Sequence, residues 1–177
     1  MILSLKNKII LFSMMFFTIM AFPLPTQPMN TNVLPTAINL TKSQLRQLAC
    51  MAKNIYYEAG SEIRSGQAAI ARVVLNRVNQ GFAETPCKVI YQKTLVKQNT
   101  VCQFSWVCAN AIDPNKDSLK YKQAEAVAYE VMIMGMYKNV IPKTALFFHS
   151  IYIDPLWPYK QVAKIGNHVF YSNTRSK

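Results

Sequence analysis

Apolar residues recur at helical spacing over Leu45, Leu48, Ala52, Ile55, Tyr56 and Ala59, which predicts an amphipathic helix with one buried stripe. Ahead of it, Thr41 and Gln44 have the pattern of a capping box, Leu40 is placed as a staple, and Gly60 is a natural stop. Between Gly66 and Val78 the chain reads GQAAIARVVLNRV, apolar almost all round, as in a helix buried on every side. Thr85-Pro86 supplies an N-cap and a proline at the first helical position for a short helix toward Gln92. Tyr121, Ala124, Val127, Ala128, Val131 and Met134 predict a longer amphipathic helix ending near Gly135.

The remaining segments lack that period. Leu95–Ile112 contains CQFSWVC and reads as an ordered loop or short hairpin. Ala145–His149 is short and aromatic, as expected of a strand, and Val162–Ile165 and His168–Tyr171 flank Gly166-Asn167 in the pattern of a β-hairpin. The predicted fold class is α+β, mainly helical, with a small hairpin or sheet.

The N-terminal part is different in kind. Lys6 and Lys8 precede the apolar run Ile9–Phe22, so residues 1–22 are expected to be an export signal or a retained membrane anchor. Four prolines between Pro23 and Pro35 make residues 23–39 a Pro-rich linker, and the folded domain is expected over residues 40–177. No apolar run reaches the roughly 20 residues of a membrane-spanning helix, which argues against a polytopic membrane protein.

Composition supports one globular, exported domain. Of 177 residues, 51% are hydrophobic and 16% charged, which disfavours a disordered chain. The formal charge is +12; removing Lys6 and Lys8 with the leader would leave +10, from 18 basic side chains against the same 8 acidic ones. These basic residues are dispersed, so the expected partner is an anionic envelope surface and not nucleic acid. The four cysteines, Cys50, Cys87, Cys102 and Cys108, are an even set suited to disulfides in an oxidising compartment, with three pairings open. No CxxC pair occurs, so no metal and no cofactor are expected.

The signatures of nucleotide binding, zincins and serine hydrolases are absent, which turns attention to the eight acids. Six of them read as turn, cap or solvated helix residues. Glu58 lies off the apolar stripe, in the last turn of the first helix, beside Tyr56 and Tyr57. The negative end of a helix dipole and poor hydration both favour a protonated carboxyl, the form a general acid needs. Glu62 is a candidate second acid, although Gly60 between them makes a facing pair uncertain in geometry. Gln103 and Ser105 beside Phe104 and Trp106, followed by His149, Trp157, His168 and Tyr171, combine flat rings with hydrogen-bonding groups, as a sugar cleft requires. Tyr57 completes the candidate substrate-binding set, whereas Phe104 and Phe170 are expected in the core.

Asn54-Ile55-Tyr56-Tyr57-Glu58-Ala59, Gly66-Gln67-Ala68 and Val73-Val74-Leu75-Asn76-Arg77-Val78 resemble blocks of the cell wall hydrolase family typified by the spore cortex-lytic enzyme. Cys102-Gln103-Phe104-Ser105-Trp106 and Gly166-Asn167-His168-Val169-Phe170-Tyr171 match later blocks in the same order, so the resemblance covers roughly Leu48 to Tyr171. It implies a lysozyme-like domain that cleaves the MurNAc–GlcNAc glycan strand of peptidoglycan in the periplasm, envelope or outside the cell. The family's catalytic glutamate falls on Glu58, and its likeness to lytic transglycosylases implies one carboxyl group and 1,6-anhydro products.

Two departures stand out. The family commonly reads E-A-R-G-E where this chain has Glu58-Ala59-Gly60-Ser61-Glu62, and its Asp-Gly after Cys108 is here Ala109-Asn110. The competing expectations are a two-carboxylate muramidase-type hydrolase, and a non-catalytic basic protein that binds wall and releases nothing.

Overall fold

The helix over Lys42–Ala59 (α1) begins where its cap demands. Thr41 accepts from the Gln44 backbone N–H while the Gln44 side chain accepts from the Thr41 N–H, satisfying two donors that the first helical turn leaves open. A computed structural model describes residues 38–175; the expected leader at 1–22 and nearly all of the linker at 23–39 lie outside the described residues. Along α1 the buried positions are Met51, Ala52, Asn54, Ile55 and Ala59. The expected stripe is therefore rotated at its start: Leu45 is 52% exposed, and burial sets in only where other helices arrive.

The next helix, Arg64–Asn79 (α2), is buried over most of its surface, as its nearly unbroken apolar sequence predicts. Ala68, Ala71 and Val74 face a core shared with α1, the short helix Pro86–Ile90 (α3) and the helix Leu119–Met132 (α5). Ala69, Ile70 and Val73 face a second core with Ile141, Ala145 and Phe170. Helix α2 thus separates two apolar layers, one helical and one leading to a sheet. Thr85 caps α3 by accepting from Lys88 N–H, and Ser118 caps α5 by accepting from Tyr121 N–H. Met134, expected within the long helix, lies beyond the end of α5 and is exposed.

The segment lacking helical period holds the short hairpin, one of its two expected forms, and a helical turn that was not expected. Strands Lys93–Val96 (β1) and Asn99–Cys102 (β2) form an antiparallel hairpin whose turn residues, Lys97 and Gln98, both have positive φ. One helical turn, Ser105–Cys108 (α4), follows. The other sheet has strands Ala145–Ser150 (β3), Tyr159–Ile165 (β4) and His168–Arg175 (β5), all antiparallel, with β5 in the centre. Ile165 pairs with His168 across Gly166-Asn167, where Gly166 supplies the positive φ the tight turn requires.

The disulfides join Cys50 to Cys87 and Cys102 to Cys108. The first ties α1 to α3. The second ties the end of the β1–β2 hairpin to α4. This α+β, helix-rich arrangement is the predicted class.

Candidate active site

A cleft of about 710 Å³ runs between the helical layer and the β3–β5 sheet. That volume suits a ligand larger than a metabolite fragment. Its helical wall carries Tyr57 and Glu58 from the last turn of α1, Glu62 from the α1–α2 turn, and Arg77 from α2. Gln103, Ser105 and Trp106 enter from the start of α4, and Phe147 to Ser150 from β3. Trp157 and the hairpin residues Asn167 and His168 complete the far wall.

Glu58 is held there by the residues on either side of it. Ile55 and Ala59 are buried in the two cores, which fixes the helix face and turns position 58 toward the cleft. The carboxyl is raised from an ordinary value of 4.5 to about 7. Burial is the main cause, and the positive charge of Arg77 works against it. Desolvation thus acts in the same direction as the helix end and the neighbouring rings are expected to act.

Arg77 lies beneath this wall and is 3% exposed. Its Nε–H donates to the Leu146 carbonyl at 2.8 Å, and its guanidinium carbon stands 5.3 Å from the Phe104 ring centroid and 6.0 Å from that of Phe147. Burial lowers its pKa to about 10 against the supporting charge of Glu58, so the guanidinium stays charged at neutral pH. With the Gln103 amide turned so that its oxygen faces this group, Oε1 accepts from Arg77 Nη1 at 2.9 Å and Nη2 at 3.2 Å.

Glu62 is placed differently from Glu58. Its Oε2 accepts from the Asn167 backbone N–H at 3.1 Å, and its Oε1 lies 3.8 Å from His168 Nδ1. The carboxylate therefore ties the α1–α2 turn to the β4–β5 hairpin. Gly66 and Gly166 leave room for it, since a Cβ at either position would crowd Glu62. His168 is buried, and desolvation lowers its pKa, as does His149, while Glu62 raises it.

Trp106 donates from Nε1 to the buried Asn54 Oδ1 at 3.0 Å and stacks on Tyr57 with ring centroids 4.8 Å apart. The Tyr57 hydroxyl donates to the Ile112 carbonyl. On the opposite wall His149 Nδ1 lies 2.8 Å from the Ser150 carbonyl oxygen and Nε2 lies 2.8 Å from the Tyr171 hydroxyl. A carbonyl only accepts, so Nδ1 carries a proton toward Ser150, and Nε2 is paired with the Tyr171 hydroxyl. Trp157 meets His149 edge-on at 5.5 Å and Tyr171 edge-on at 5.7 Å.

The cleft thus brings together Glu58, Tyr57, Gln103, Ser105, His149, Trp157, His168 and Glu62, all singled out in the sequence. Tyr171 is not among the lining residues; it stands behind His149 and orients its ring. Phe104 and Phe170 are in the core as expected. Arg77, Phe147, Phe148 and Asn167 were not singled out as site residues. Arg77 had a readable signal, because a charge inside an otherwise apolar helix must find partners. At position 60, where the family carries arginine, the space beside Gly60 is taken by the Lys120 side chain, whose Nζ sits 4.5 Å from the Tyr56 ring centroid.

Comparison with known proteins bears on the fold and the family. The chain is similar in structure to the catalytic domain of the Bacillus cereus SleB protein, with a TM-score of 0.53 and 23% identity over 72% of this chain and 91% of that one. None of the curated proteins matches it. Residues 61–171 match the model of the cell wall hydrolase family, a span that begins just past Glu58 and contains four of the five sequence blocks noted above. Since this match takes in more than half of its length, the chain belongs to the cell wall hydrolase family.

Proposed function

We propose that this protein is an exported peptidoglycan-degrading enzyme that cuts the MurNAc–GlcNAc strand as a lytic transglycosylase, with Glu58 as its single acid and base. The observation that carries the reading is a carboxyl at the wall of a long cleft, held by burial at a pKa of about 7. Such a group is protonated in a useful fraction at neutral pH and can still ionise.

The chemistry follows from that balance. Glu58 donates its proton to the glycosidic oxygen as the C1–O bond breaks, and the leaving sugar departs as an alcohol. The carboxylate then takes the proton of the muramic acid 6-hydroxyl as that oxygen attacks C1. Glu58 is thereby reprotonated, a 1,6-anhydro ring forms, and no water is consumed. Arg77 favours the ionised form that the second step requires, without overcoming desolvation.

A hydrolase using Glu62 as second carboxylate is the competing reading, since Glu62 lines the same cleft. Its oxygens, however, are already directed at the Asn167 N–H and His168, which suits an anchor better than a base poised beside a water. Export is supported by the two disulfides, which persist in oxidising compartments, and the basic net charge favours attraction to an anionic envelope.

Digestion of purified sacculi, with mass analysis of the soluble products, tests the proposal. Anhydro-muropeptides from the unmodified chain and none from Glu58→Gln are expected. Reducing ends without the anhydro mass would select the hydrolase, and sacculus binding without release would select a non-catalytic wall-binding protein.

A further inference from the structure

The Gln103 amide has a polarity imposed from below. A guanidinium offers only donors, so an amide facing it must present oxygen; the reverse orientation would set its NH2 against N–H groups. The Arg77 plane is itself fixed, by its bond to the Leu146 carbonyl and by the Phe104 and Phe147 rings. Oε1 is consequently occupied by both Nη atoms. The NH2 group is on the opposite side of the amide, in a residue that lines the cleft, and makes no hydrogen bond among the described residues.

We infer that Gln103 is a specificity-determining residue whose NH2 binds the acetamido carbonyl of an N-acetylated sugar, and that Arg77 is the positioning residue that fixes this orientation. The inference rests on the reading of the cleft as a glycan site. An acetamido carbonyl is an acceptor with no proton of its own, which matches a donor-only amide face. A de-N-acetylated sugar puts an ammonium group there instead. That group can only donate, and it also meets the buried positive charge of Arg77. The cleft should therefore discriminate against glycan that has lost its acetyl groups, by lost hydrogen bonding and by repulsion together.

The test uses the full chain in two assays. Binding of N-acetylglucosamine oligomers and of the same oligomers after de-N-acetylation is measured by calorimetry on the Glu58→Gln chain, so that turnover does not intervene. Product release is measured on native and de-N-acetylated sacculi with Glu58 intact. A preference for the acetylated ligand of roughly tenfold to a hundredfold is expected. Gln103→Leu, at a part-exposed position, should lower the ratio several-fold, leaving only the part that repulsion from Arg77 sustains. Gln103→Glu should reverse it, because a carboxylate there would accept from both Arg77 and an ammonium group. Arg77→Lys should lower the ratio through loss of the two-nitrogen contact, and circular dichroism on each variant shows whether it has folded.

A ratio near one in the parent chain, a ratio unchanged by Gln103→Leu in folded protein, or no binding of either oligomer would overturn the inference. Selective binding without degradation of either sacculus would support it while removing the lytic reading. Degradation of both sacculi at equal rates would do the opposite.

Discussion

The Glu62 carboxylate fills the space that a Cβ on Gly166 would need, and accepts the N–H of the next residue, Asn167. Two segments far apart in sequence are locked together at this point, in the lining of the cleft. Gly166 also has φ +56, a conformation that costs other residues free energy. Gly166→Ala should therefore displace Glu62 and lower stability by about 1–3 kcal/mol. Thermal melting checks this; a melting temperature equal to that of the parent chain would mean that Glu62 can move aside at no cost.

Glu62→Gln separates an anchor from a catalytic acid. The amide oxygen can still accept from Asn167, so an anchoring Glu62 should tolerate the change with less than about tenfold loss of turnover. A proton-transferring carboxylate would lose on the order of 10²–10⁴. Initial rates of sacculus solubilisation decide between the two.

Activity should fall as pH rises through about 7, because the acid form of Glu58 is the one that starts the reaction. Stability should follow the same group. The folded chain holds this proton to about 7 whereas an unfolded glutamate releases it near 4.5, so the contribution is fully present below 4.5 and is lost as pH climbs through 7. Ionised Glu58 then costs about 3 kcal/mol. Glu58→Gln should melt higher than the parent chain at pH 8, with the difference disappearing toward pH 4.5. A gap of the same size at both pH values would contradict the assignment.

The two disulfides should differ in worth. The Cys50–Cys87 bridge, with a sequence separation of 37, restricts the unfolded chain more than Cys102–Cys108, with a separation of 6. Chain-entropy arguments put the contributions at about 4 and about 2 kcal/mol. Chemical denaturation of the paired serine variants, Cys50→Ser with Cys87→Ser and Cys102→Ser with Cys108→Ser, should reproduce that order.

Some of these features could be read without coordinates. Thr41 and Gln44, Thr85 and Pro86, and Gly166-Asn167 act on backbone within three or four residues of themselves, so the elements they cap or turn were legible. The α2 sequence was similarly informative, because a helix with no polar face must be covered on all sides. Ser105–Cys108 was missed as a helix because a single turn is too short to display a period. Leu45 misled for a different reason: it lies on the apolar stripe but stays 52% exposed, in an open groove beside α5.

The sequence by itself determined helices α1, α2, α3 and α5, strand β3, the β4–β5 hairpin, the α+β class and the place of Glu58 at the end of α1, because each depends on spacing within one element or on a local cap. Only the tertiary structure decided which cysteines meet, that Glu62 is bonded to a residue 105 positions away, and that Arg77 faces Gln103 from beneath the cleft. These are contacts between separate elements. Their energies depend on distance and desolvation in the folded chain, quantities that spacing along the backbone does not contain.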